Sequence, residues 1–131
     1  MTSRAIGWEG PPLTTTSTSA ASHYRDGIAA LVSGRANAEG LLDAALAIDP
    51  DFLLARVGRA VCDVAAGAPY VAPAGDRGGR ERGERQHAEI VATMLQGDGS
   101  HARDLRREHL LEFPGDLLIV WLPVLAGHGM A

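Results

Sequence analysis

Glu84 and His87 stand three residues apart in a charged stretch. At that spacing a carboxylate and an imidazole share one helix face, as they do where carboxylate bundles bind iron or manganese. Those sites need two such pairs and two further carboxylates, and only one pair is found. The pair is therefore expected on a solvated helix face. The other histidines are His23, His101, His109 and His128. None of the five forms a helix-spaced zinc pair, and a single cysteine supplies no thiolate cluster. No metal site and no cofactor is expected. Cys62, the one thiol, would need a base and an electropositive niche to act as a nucleophile. His87 could supply the base, but no spacing supports it, so Cys62 is expected to be a small packed residue. The Gly-rich string PAGDRGGRERG lacks the Lys-Ser/Thr of a phosphate loop and follows no strand. Its arginines Arg77, Arg80, Arg82 and Arg85 lie beside Asp76, Glu81 and Glu84, which reads as a self-neutralising exposed loop. No catalytic residue emerges, and the chain is expected not to be an enzyme.

Composition narrows the class. A chain of 131 residues fits one domain, and 46% apolar residues suffice for a modest core. A formal charge of −4 gives no reason to expect nucleic acid or an anionic membrane as partner. All 12 basic residues are arginine, the mark of a GC-rich, expected bacterial, genome. One cysteine forms no internal disulfide, the first dozen residues hold no apolar run, and no run reaches the roughly 18 residues of a membrane helix. A cytoplasmic protein is expected.

Residues 1–19 are rich in Gly, Pro, Ser and Thr and are expected to be an extended N-terminal segment, with a hydroxyl near Ser17 to Ser19 capping the first helix. Helical spacing then predicts helices over 20–33, 38–48, 52–66, 80–96, 101–112 and 116–126. Gly34, Pro50 and Gly67 punctuate the first three. Residues 67–79 are expected to be a loop, and the helix from 80 to have a solvated first half. Alternation of the strand type is absent. The fold class is all-α, with 20–131 as one helical domain.

Self-comparison shows a repeat. Ala38-x3-Leu42-x2-Ala45-x4-Pro50 places a small residue twelve positions before its proline, and Ala102-x11-Pro114 repeats the spacing. This resembles the tetratricopeptide pattern, in which small residues let the helices of a hairpin approach. Gly27, Gly58, Ala38, Ala45 and Ala102 hold the small positions. Arg106 and His109 sit where the last hairpin would carry apolar and small residues. The strings GPPLTTTSTSAASHYRDGIAALVSG, AALAIDPDFLLARVGRAV, RERGERQHAEIVATMLQGD and REHLLEFPGDLLIVW are similar, in order and spacing, to the N-terminal part of the tetratricopeptide repeat protein 38 family. The resemblance implies a short solenoid of antiparallel helical hairpins with a scaffold role, and no reaction.

Stacked hairpins line a concave groove with their first helices. The groove candidates are Tyr24, Ile28, Arg59, Cys62 and Asp63, although Arg59 and Asp63, four apart, could instead pair with each other. The expected function is a non-catalytic protein–protein interaction module that binds a partner protein or peptide. The alternative is a subunit or N-terminal fragment of a larger helical-repeat enzyme or regulator. The segment from Leu117 to Leu125 is apolar on every side, and a helix of that kind is normally buried all round. Leu118, Trp121, Leu122 and Leu125 are therefore expected to form a self-association surface, giving a homodimer or larger.

Overall fold

Ser17 has extended backbone, and its Oγ accepts from the Ala20 amide at 3.0 Å, so α1 (Thr18–Val32) starts on a hydroxyl cap. Gly34, with φ +75°, ends it in the left-handed region that a residue with a Cβ resists. The structure is a computed structural model that describes residues 10–73, 81–97 and 99–126. The other helices are α2 (Ala38–Ile48), α3 (Leu53–Ala65), α4 (Arg82–Gln96), α5 (Gly99–Glu112) and α6 (Leu117–Leu125). No strand occurs among the described residues. Expected and observed helix ends agree within about two residues. The part of loop 67–79 from residue 74 onward lies outside the described residues, as do residues 1–9.

α1 packs on α2, α2 on α3, and α4 on α5. Two glycines let the first three helices close up. A Cβ on Gly27 of α1 would stand 2.8 Å from Leu42 Cγ of α2. A Cβ on Gly58 of α3 would stand 3.0 Å from Ile28 Cδ1 and 3.4 Å from Leu42 Cδ1. Tyr24, Ile28, Leu42, Phe52, Leu54, Val57 and Val61 fill the space between these helices. α6 then returns to pack on α1, α4 and α5, so the last helix closes on the first.

The return covers much of α6. Leu118, Ile119 and Leu122 are fully buried, and Trp121 and Leu125 are partly so. Leu118 and Leu122 therefore belong to the core and not to a free self-association surface. The sequence pattern offers α6 one covered side, against α5, whereas α1 and α4 cover it as well. What remains open on α6 is the row Leu117, Val120 and Val124.

Pro123 lies inside α6 and has no amide hydrogen, which leaves the carbonyl four residues back without its helical donor. That carbonyl is Ile119 O, and Arg106 Nε of α5 donates to it at 2.9 Å. Arg106 Nη2 donates to the next carbonyl, Val120 O, at 3.1 Å. An arginine at a position where the hairpin pattern wants an apolar residue thus repairs the break that the proline makes.

Candidate functional site

α4, α5 and the turn before α6 bring His87, His109 and Asp116 together in the interior, with Glu84 one turn before His87 on α4. All four side chains are sealed from solvent. The expectation that Glu84 and His87 lie on a solvated face is overturned. The reason is the chain before α1. Gly83, without a side chain, lets Pro11 and Phe113 close over the first turn of α4; a Cβ there would sit 2.6 Å from Pro11 Cβ. Thr14 then donates to the Glu84 carboxylate from its amide, at 3.2 Å, and from its hydroxyl, at 3.0 and 3.1 Å. The segment expected to be merely extended thus carries two donors for a buried acid, up to the start of α1 at Thr18.

Asp116 directly precedes α6, where an aspartate ordinarily caps the helix. Here it makes no side-chain cap. Its Oδ2 takes both imidazoles instead, His87 Nδ1 at 2.8 Å and His109 Nε2 at 2.8 Å. His109 Nδ1 faces Gln86 Oε1 at 2.9 Å. The two imidazoles stand edge to face, their centroids 6.4 Å apart, and Phe113 packs on His109 at 5.1 Å. His87 Nε2 and Asp116 Oδ1 are buried without a hydrogen-bond partner among the described residues. Burial by itself would raise the Asp116 carboxyl, but the two histidines outweigh it and hold it down at about 2. The Tyr24 hydroxyl is pushed well above its ordinary value, first by burial and then by the charges of Asp116 and Glu84. Each of His87, His109 and Asp116 presents a ligand-type atom within 4.8 Å of the other two.

The groove candidates divide. Tyr24 and Ile28 are core residues, not groove-lining ones, because Phe52 packs on the Tyr24 ring at 5.2 Å and the Ile28 side chain fills the space left by Gly58. Arg59 is engaged on α2 and α3: it donates to Asp43 at 2.8 Å, to Asp63 at 2.8 Å, and to Glu39. Burial weighs against its charge, but the hydrogen bonds to Asp63 and Asp43 outweigh this and raise its pKa further. Arg59 therefore fastens α2 to α3. Cys62 is half-buried beside it. Burial pushes its thiol up to about 11; Arg59 pulls it down while Glu39, Asp63 and Asp43 push it up. At neutral pH such a thiol is protonated and a poor nucleophile.

Sequence spacing showed Glu84-x2-His87 but not the residues gathered round it, which lie before α1, on α5 and in the turn beyond α5. One signal was available. Arg106 and His109 both broke the hairpin pattern, and both do so to bond a group across the interface with α6 or its turn. His128, Arg77, Arg80 and Asp76 lie outside the described residues. No helix among the described residues is long and apolar enough to cross a membrane. The chain matches no family model, no curated protein and no solved structure.

Proposed function

We propose that this chain is a non-catalytic helical scaffold of the tetratricopeptide type that binds protein, beginning with a second copy of itself. The observation that carries the reading is the outer face of α6. Leu117, Val120 and Val124 are 41%, 44% and 63% exposed and succeed one another by three and four residues, so they form one apolar row. Trp121 and Leu125 flank it, partly buried. Rows of this kind mark interaction surfaces. The hairpin α1–α2, closed on Gly27, is in keeping with the tetratricopeptide reading and with the resemblance to the tetratricopeptide repeat protein 38 family. The contact of α6 with α1 departs from an open stack, in which each repeat touches its neighbours alone. A cytoplasmic setting goes with this reading.

The test is sedimentation of the isolated chain at tens of micromolar. A dimer is expected, and Val120→Glu with Val124→Glu should return it to monomer with unchanged helix content. A monomeric parent chain would end the self-association reading.

The buried His87, His109 and Asp116 favour the second reading, a subunit or N-terminal part of a larger helical-repeat enzyme or regulator. A scaffold has no need of two imidazoles on one buried carboxylate.

A further inference from the structure

Hydrogen bonding at His109 restricts what can lie between that ring and Asp116. Nδ1 faces the Gln86 carboxamide at 2.9 Å, and with the carboxamide oxygen on that side as acceptor, Nδ1 carries the hydrogen. In a neutral ring Nε2 then presents a lone pair, aimed at Asp116 Oδ2 from 2.8 Å. Two lone pairs at that distance repel. The line between the two atoms therefore calls for a positive charge, which is either a proton or a metal ion.

Three observations favour the metal. His87 Nδ1 converges on the same oxygen at 2.8 Å, so two nitrogens and one oxygen point at a common region. The Nδ1–H of His109 on an amide oxygen is the arrangement by which ligating histidines are oriented, with the outer nitrogen fixed by an acceptor. Asp116 Oδ1 is left over inside the protein, a lone pair on the same carboxylate that an ion could also draw on, whereas His87 Nε2 lacks, among the described residues, the acceptor that His109 Nδ1 has. Two imidazoles and one carboxylate are donors that zinc and iron(II) accept.

We propose that His87 Nδ1, His109 Nε2 and Asp116 Oδ2 form a binding site for a divalent transition-metal ion. Gln86 is the residue that positions His109. Ligands about 2.1 Å from a tetrahedral ion stand roughly 3.4 Å apart, so each nitrogen needs to move about half an ångström away from Asp116 Oδ2 when the ion enters. Glu84 is not among the ligands, since Thr14 already holds its carboxylate. The ion would join α4, α5 and the turn before α6.

The experiment uses the untagged chain, stripped with a chelator and titrated with zinc and, separately, with cobalt(II). One equivalent should bind, cobalt should give the intense visible bands of a four-coordinate site, and the thermal midpoint should rise by about 10 °C at a hundredfold excess of zinc over Kd. His109→Gln and Asp116→Asn, with helix content checked by circular dichroism, should each abolish the cobalt bands. Nitrogen-15 spectra of the imidazoles separate the metal from the proton. Zinc should shift the signals of His87 and His109 and leave those of His23 and His101 in place. An imidazolium pattern at His109 that zinc leaves unchanged would overturn the proposal. So would zinc binding that survives both substitutions, which would mark adventitious binding at surface histidines.

Discussion

Asp116 ties the stability of the interior to acid. Its carboxyl lies at about 2 in the folded chain, held there by His87 and His109 against burial. An unfolded aspartate titrates near about 3.9. A folded pKa below the unfolded one contributes stability that is present above the unfolded value and is lost as pH falls through the folded value. The metal-free chain should therefore lose thermal stability between about pH 4 and about pH 2. Asp116→Asn should be less stable than the parent at pH 6, and the gap between their thermal midpoints should narrow as pH falls across that window. A gap independent of pH would mean that Asp116 contributes packing and not charge.

Among the elements, two contacts decide how the helices close. Gly27 has the Cγ branch point of Leu42 and the Cβ of Leu41 against it, whereas Gly58 meets the terminal methyl of Ile28. Gly27→Ala should destabilise the chain, because overpacking of about 1–3 kcal/mol outweighs the roughly 1 kcal/mol that alanine gains in a helix. Gly58→Ala should be near neutral, because its neighbour can turn aside. Chemical denaturation of the two variants tests this, and equal losses would show that the Gly58 contact is as stiff as the Gly27 one. The second contact joins α5 to α6. Arg106→Met should cost about 1–2 kcal/mol, since it strips the donor from the partly buried Ile119 carbonyl. In a Pro123→Ala background the loss should be smaller, because the substitution returns an amide hydrogen to Ile119 O. A double-mutant cycle with no coupling would refute the repair of the proline break.

At the scale of the molecule, α6 returns to α1 and α4 and makes the helices one unit. An open array of hairpins loses cooperativity as it lengthens, whereas a closed set unfolds together. Thermal unfolding of the chain should therefore be one transition, with near-ultraviolet and far-ultraviolet signals coincident. A separate early loss of the Trp121 signal would show that α6 detaches by itself. The same return explains why the apolar C-terminal run presents a single narrow row to solvent. Three helices cover it, and Leu117, Val120 and Val124 are what they leave.

The helices and their limits were legible from the chain alone, because they are set locally: Ser17 caps α1, Gly34 adopts positive φ, Pro50 forbids continuation, and the spacing of apolar residues defines a face. The small residues at Gly27 and Gly58 were legible too, since only a close helix contact needs them. The buried site was legible in one part only. Glu84-x2-His87 is a local spacing, but whether that face meets water depends on Pro11 and Thr14 crossing α4 from about seventy residues away. His109 and Asp116 join it through the fold of α5 against α4 and the turn into α6, a long-range choice that no local pattern records. For the same reason Tyr24 and Ile28 moved from a supposed groove to the core. Periodicity tells which residues share a face, and only packing decides what that face is turned towards.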